Sequence, residues 1–208
     1  MRSRTASSSR VPLLADKKLY LVTPLRADFA NYLQSAIEGG VDVVQVRERS
    51  VPDARLLELL GVAREITARY GVPLGVNDRP DLAVLAGADF VHVGQEDIPV
   101  AEARRFGLPV GLSTHAPREI DDAVSDYIAV GPVYATPTKE GRPAVGLDLV
   151  RYAAANARLP WFAIGGIDAT NVAEVVEAGA TRIAVVRAIV ETADPGSAAR
   201  MLRAALPA

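Results

Sequence analysis

Three segments of this chain follow one plan. EGGVDVVQV (38–46), LAGADFVHV (85–93) and EAGATRIAVV (177–186) each run from a helix end through a glycine cap and a small residue to a polar residue that opens an apolar strand. Gly40, Gly87 and Gly179 are spaced by close to one and then two copies of a common step. If that step is two βα units, these glycines precede strands two, four and eight. Parallel neighbours need a crossover between them, so helices that hand over to buried strands at regular intervals build a parallel sheet. Evenly spaced βα units that close on themselves give a single (β/α)8 barrel, the TIM-barrel architecture.

The remaining strands complete the count. Apolar or β-branched runs lie at KLYLVT (18–23), DVVQVR (42–47), PLGVN (73–77), DFVHVG (89–94), PVGLS (109–113), YIAVG (127–131), WFAIGG (161–166) and RIAVVR (182–187). Helical candidates separate them at roughly 29–38, 80–86, 99–106, 117–125, 147–157, 170–178 and 195–206. The longest helix carries Leu56, Leu60, Ala63 and Tyr70 at helical spacing, with Pro52 and Asp53 in its first turn and Gly71 as its cap. Half of the residues are hydrophobic and only 5% are aromatic. A core of Ala, Val, Leu and Ile suits parallel strands covered by helices. An open doubly wound sheet competes, but no GxGxxG follows the first strand.

Composition excludes several function classes. A formal charge of −2 gives no electrostatic footprint for nucleic acid or an acidic membrane surface. Zero cysteines exclude disulfides, thiolate metal sites and cysteine nucleophiles. No apolar run reaches the length of a membrane span, and no secretory core is present. A cytoplasmic protein is expected, with residues 1–16 as a flexible Arg/Ser-rich leader and 17–208 as one catalytic domain. The oligomeric state is left open, a homo-oligomer included.

Sites in such barrels lie at the C-terminal ends of strands, so what each run ends in is a functional test. Strand two ends in Gln45, Arg47 and Arg49, which alternation places on one face, with Val44 and Val46 on the other. Unpaired charge in a barrel mouth is costly, and an anionic ligand or a salt bridge relieves it. Strand three ends in Asn77 and Asp78, strand four in Gln95, Glu96 and Asp97. Asp78 and Asp97 then lie side by side, a pattern for one Mg²⁺ completed by water and phosphate oxygens, with Glu96 in reserve. Asp81 reads as the cap of the following helix. Ser113 and His115 end strand five, the first as a phosphate donor, the second as an acid/base or orienting group. His92, inside strand four, reads as a satisfied interior residue. Gly165 and Gly166 after strand seven, with Val186 and Arg187 after strand eight, suit a backbone-lined phosphate pocket.

One loop stands apart. GPVYATPTKEGRPAVG (131–146) lacks helical or strand periodicity and holds Thr136, Pro137, Thr138 and Lys139 among small residues. Hydroxyls and an ammonium suit an anion. No nucleophile stands out anywhere, so charge stabilisation is expected rather than covalent catalysis.

Taken in order, QVRER, NDR, GQED, GLSTH, GPVYATPTK, AIGGI and VVRAI resemble the thiamine-phosphate synthase family over nearly the whole chain after about residue 17. The resemblance implies a (β/α)8 barrel that uses Mg²⁺ to join hydroxymethylpyrimidine diphosphate to hydroxyethylthiazole phosphate, giving thiamine phosphate and diphosphate by dissociative substitution. It implies that the pyrimidine diphosphate meets Gln45, Arg47, Arg49, Asn77, Ser113 and Lys139, with Arg47, Ser113 and Lys139 catalytic. It places Mg²⁺ at Asp78 and Asp97, and the thiazole phosphate at Thr136, Pro137, Thr138, Gly166, Val186 and Arg187. The 131–146 loop becomes a lid that keeps water from a reactive cation. Two positions depart from the commonest pattern: Arg49 stands where lysine is usual, and Arg187 where many members have serine. The alternatives are a thiazole tautomerase on the same barrel, with His115 moving the proton, and a catalytically silent phosphate-binding homologue.

Overall fold

The computed structural model describes residues 13–135 and 143–207. Among them, eight strands pair in parallel and in chain order: β1 (Leu19–Thr23), β2 (Val43–Val46), β3 (Leu74–Asn77), β4 (Phe90–Val93), β5 (Val110–Thr114), β6 (Tyr127–Val130), β7 (Trp161–Ile164) and β8 (Ile183–Val185). β8 pairs back onto β1, with Tyr20 opposite Ala184, and closes the barrel. The helices are α1 (Phe29–Glu38), α2 (Asp53–Tyr70), α3 (Pro80–Leu85), α4 (Val100–Ala103, continued as a 3-10 turn to Phe106), α5 (Pro117–Asp121), α6 (Gly146–Asn156), α7 (Val172–Glu177), α8 (Arg187–Val190) and α9 (Pro195–Ala205).

The expected barrel is therefore the observed one, with differences in detail. α5 stops at Asp121, short of the expected end at 125, because the following residues serve the strands. Ser125 Oγ donates to Tyr127 O at 2.8 Å, and the Asp126 N–H donates to Val110 O at 2.8 Å. The short helix α8 intervenes between β8 and the expected C-terminal helix. Asp81 does not cap α3; its carboxylate is held by Arg79 instead, and no side chain caps that helix.

The repeated polar residue has a structural task at the N-terminal rim. Asp42 accepts the backbone N–H groups of Lys18 and Leu19, each contact at 2.9–3.0 Å. Asp89 accepts the Leu74 N–H at 2.8 Å and pairs with Arg64. Asp126, whose segment lacks the glycine that marks the repeat, accepts the Val110 N–H at 2.8 Å and pairs with Arg104. Each carboxylate clips the start of one strand to the start of the next and satisfies donors that the ladder leaves over. The repeat therefore serves stability, at the face opposite the one expected to carry chemistry.

Packing within the barrel sets the depth of the mouth. Val44, Val46, Leu74, Val76, Val91 and Val93 point outward to the helices. Tyr20, Val43, Phe90, Tyr127 and Phe162 fill the lower interior, with Leu14 buried against them from below, so packing already begins before residue 17. The rings meet edge to face at centroid distances of 5.2–6.0 Å, as between Tyr20 and Phe162 or Tyr20 and Phe90. Glycines make room for them: a Cβ on Gly75 would lie 2.1 Å from the Phe90 ring, and one on Gly111 would lie 2.1 Å from Tyr127. Gly75→Ala is expected to cost about 1–3 kcal/mol of unfolding free energy by overpacking. Denaturant titration should show Phe90→Leu recovering part of that loss in the double variant; simple addition of the two losses would count against ring-on-glycine packing.

Candidate active site

Above the aromatic layer, the inward positions turn polar. Gln45 is 2% exposed. Its Oε1 accepts from Tyr20 Oη at 2.6 Å, and its Nε2 donates to Asn77 Oδ1 at 2.7 Å. His92 Nδ1 lies 2.9 Å from Tyr127 Oη, and its Nε2 lies 3.0 Å from Ser113 Oγ. His92 is thus bonded on both ring nitrogens, in keeping with an interior residue. Ser113 is buried, and its carbonyl accepts from Gln95 Nε2 at 2.8 Å.

The next layer is charged. Arg49 leaves strand two on the expected face and forms an ion pair with Asp78. The salt-bridged reading of this strand end is therefore the one realised for Arg49. Burial raises the Asp78 carboxyl above the usual carboxylate range; Arg49 opposes the shift, while hydrogen bonding and like charge from Asp97 reinforce it. Asp78 and Asp97 are close enough to interact directly. Burial lowers the Arg47 guanidinium, helped by Arg49 and opposed by Asp78 and Asp97, so all four charges share one field. Among the described residues, no cluster of three His, Cys, Asp or Glu side chains forms a ready metal cage.

The backbone around these carboxylates is tightly held. Asp78 is the only non-glycine among the described residues with positive φ, at 61°, a conformation that aspartate tolerates better than most residues. Its N–H donates to His92 O at 2.8 Å. The next residue, Arg79, contacts both oxygens of Asp53 at 2.8 Å and both oxygens of Asp81 at 2.7–2.9 Å, fastening the loop to α2 and α3. Asp97 Oδ2 accepts the Gly94 N–H at 2.8 Å. Glu48, between the two arginines, turns away: its carboxylate accepts from Ser50 N–H and Oγ, and from the N–H groups of Arg49 and Leu25. It braces the first two loops, a role that its place in QVRER conceals.

A cavity of about 250 Å³ opens beside the charges, lined by Arg47, Ser113, His115, Gly166, Val186 and Arg187 among others. Val22 and Ile164 give it an apolar wall, and Asp168 and Glu191 add acidic groups that sequence reading missed. His115 is anchored through Nδ1 to Gly131 O, and its N–H donates to Glu119 at 2.7 Å. The paired glycines also allow one loop to lie on another. A Cβ on Gly165 would meet Pro132 at 2.5 Å, and one on Gly166 would meet Tyr134 at 2.7 Å. Backbone bonds from Val133 N–H to Ile164 O and from Tyr134 N–H to Gly165 O, each 2.9 Å, hold that contact. Thr136, Pro137, Thr138 and Lys139, in the middle of the expected lid, lie outside the described residues. The feet of that loop are joined, since the Val145 N–H donates to Pro132 O at 2.8 Å.

The family model described as thiamine monophosphate synthase matches residues 19–189. The chain belongs to this thiamine-phosphate synthase family. It is 49% identical over 229 residues to the thiamine-phosphate synthase of Arthrobacter sp. (strain FB24), covering 94% of this chain and 97% of that protein. The thiamine-phosphate synthase of Thermus thermophilus is 50% identical over 198 residues, covering 89% and 95%. The solved thiamine phosphate pyrophosphorylase from Pyrococcus furiosus superposes with a TM-score of 0.85 at 30% identity, over 93% of this chain and 96% of that one. Membership of this family accounts for the ordered motifs, and the geometry brings those among the described residues to one barrel mouth.

The raised Asp78 carboxyl has a stability consequence with a definite sign. The fold favours its protonated form, so ionisation costs stability as pH rises from the ordinary carboxylate value through the folded one. Asp78→Asn mimics the neutral form and also tolerates positive φ. In metal-free buffer it is expected to unfold at a higher temperature than wild type at pH 7.5, with the gain disappearing below about pH 4. A lower midpoint at pH 7.5 would show that the Arg49 pair outweighs burial.

Proposed function

We propose that this chain catalyses the family's coupling reaction, joining 4-amino-2-methyl-5-hydroxymethylpyrimidine diphosphate to 4-methyl-5-(2-hydroxyethyl)thiazole phosphate to give thiamine phosphate and diphosphate. The observation that carries this reading is the meeting of Arg47, Arg49, Asp78 and Asp97 in one field, beside an apolar cavity that ends at Gly166, Val186 and Arg187. Both substrates are small, and the whole constellation lies at one barrel mouth. The reading includes a cytoplasmic setting.

Gln45, Asn77 and Ser113 orient the pyrimidine side, and Arg47 and Arg49 balance the diphosphate. In the substitution, the bond from the pyrimidine methylene to the diphosphate oxygen breaks, and the electron pair leaves with the diphosphate. The thiazole nitrogen supplies the pair for the new C–N bond. Positive charge from Arg47 and Arg49 stabilises the negative charge that builds on the departing diphosphate. The apolar wall of Val22 and Ile164 keeps water from the cationic carbon. Arg187, with the backbone at Gly166 and Val186, holds the thiazole phosphate. Thr136, Pro137, Thr138 and Lys139 join the site through the family resemblance alone.

Asp78 and Asp97 fit Mg²⁺. They form a hard-oxygen donor set whose mutual repulsion a cation relieves, and two carboxylates leave positions for water and phosphate oxygens. When bound, Mg²⁺ would offset the diphosphate's charge.

Incubating the protein with both substrates and Mg²⁺ should yield thiamine phosphate and diphosphate in equal amounts. Absence of coupled product under saturating substrates would remove the reading in favour of the silent homologue or the isomerase. Asp78→Ala should lower kcat by about a hundredfold or more. Arg187→Ala should raise the thiazole-phosphate KM by about tenfold and leave that of the pyrimidine substrate near its original value. An effect confined to the pyrimidine substrate would reverse the placing of the two subsites.

A further inference from the structure

Six polar side chains, one from each of the strands β1 to β6, form a continuous hydrogen-bonded chain across the barrel interior. It runs from Asn77 to Gln45, Tyr20, Tyr127, His92 and Ser113, with every contact between 2.6 and 3.0 Å. Its two ends reach the mouth, whereas Tyr20 and Tyr127 lie beneath it among the aromatic rings. Tyr127 is 2% exposed and does not line the cavity.

Proton counting gives the chain a direction. A tyrosine has one hydroxyl proton to donate. Tyr20 gives its proton to Gln45 Oε1, because the Gln45 amide nitrogen is committed to Asn77 Oδ1. The 3.0 Å contact between the tyrosine oxygens must then use the proton of Tyr127. With that proton spent, Tyr127 Oη accepts from His92 Nδ1–H. A neutral imidazole carrying its proton on Nδ1 accepts at Nε2, so Ser113 Oγ–H points inward to His92. With its proton given to His92, Ser113 Oγ acts toward any other group only as an acceptor, and Asn77, whose Oδ1 accepts from Gln45, offers its amide hydrogens.

We propose that Tyr127 is a positioning residue that sets the tautomer of His92 and thereby fixes Ser113 as a hydrogen-bond acceptor toward the pyrimidine substrate. This reverses the donor role toward phosphate expected for Ser113 from sequence. The ligand group that suits Ser113 is therefore an N–H donor, such as an exocyclic amine, in preference to a phosphate oxygen. The assignment to the pyrimidine substrate rests on the proposed function; the tautomer does not.

The chain has only two histidines, His92 and His115, so long-range ¹H–¹⁵N spectra of the imidazole nitrogens read the tautomer directly. His115→Gln serves to assign the signals. At pH 8, wild-type His92 should show a protonated Nδ1 and an unprotonated Nε2. Tyr127→Phe removes the acceptor for Nδ1–H and should move the proton to Nε2, which turns Ser113 around. Tyr20→Phe should cause the same switch, because Tyr127 is then free to donate to Nδ1; it carries the test if Tyr127→Phe does not fold. In steady-state assays, Tyr127→Phe should lower kcat about tenfold while the thiazole-phosphate KM stays unchanged. In a Ser113→Ala background, the same substitution should lower kcat no further.

A wild-type ring protonated on Nε2 alone or on both nitrogens would overturn the proposal. So would a tautomer unmoved by either phenylalanine variant, or an equal loss of kcat in both Ser113 backgrounds. An inactive wild type would sink the proposed function while the spectra still decide the tautomer.

Discussion

Eight short parallel strands can share one interior only if the space they enclose is filled, because a dry void loses contacts on every side. Four strands supply a large ring at the lower level (Tyr20, Phe90, Tyr127 and Phe162), while Gly75 and Gly111 give up side chains to admit two of them. Everything above follows from that filling. The rings form a floor, so the polar positions one step further along each strand are held in a shallow mouth instead of a pore. Tyrosines in that floor place two hydroxyls just under the mouth, where they must bond, and they do so with Gln45 and His92. The barrel's need for volume and the site's need for fixed polar groups are met by the same residues.

The mouth carries the opposite balance. Asp78 and Asp97 are held close although Asp97 makes Asp78 harder to ionise, and Asp78 keeps a positive φ. Arg79, clamped between Asp53 and Asp81, gives that loop little room to relax. At the other rim, Asp42, Asp89 and Asp126 each satisfy backbone N–H groups at the start of a neighbouring strand. Carboxylates at the bottom thus stabilise the fold, whereas those at the top hold a local conflict that a cation and an anionic substrate would relieve.

Much of this was legible in the sequence. Strand positions followed from apolar runs, and strand ends marked the residues that converge, since a parallel barrel sends all C-terminal ends to one face. What stayed hidden depended on register or on partners far along the chain. Nothing local says that Arg49 pairs with Asp78, or that Glu48 turns back to Ser50 and Leu25. Tyr20 and Tyr127 read as core aromatics, and only three-dimensional closure brings their hydroxyls within 3.0 Å of one another. The repeat was visible, but its purpose at the N-terminal rim was not, and its Asp126 copy lacks the glycine that flags the others. Helix α8 is too short to leave a periodic signal.

Convergence of two arginines and two carboxylates on one diphosphate-sized site is the claim on which the functional reading turns. Mn²⁺ as a spectroscopic stand-in for Mg²⁺ tests it most directly, by titration under electron paramagnetic resonance with and without inorganic diphosphate. Diphosphate is expected to tighten Mn²⁺ binding by at least about tenfold in the wild-type protein, with the enhancement lost in Asp78→Asn. Equal Mn²⁺ affinity with and without diphosphate, or undiminished enhancement in the variant, would contradict it.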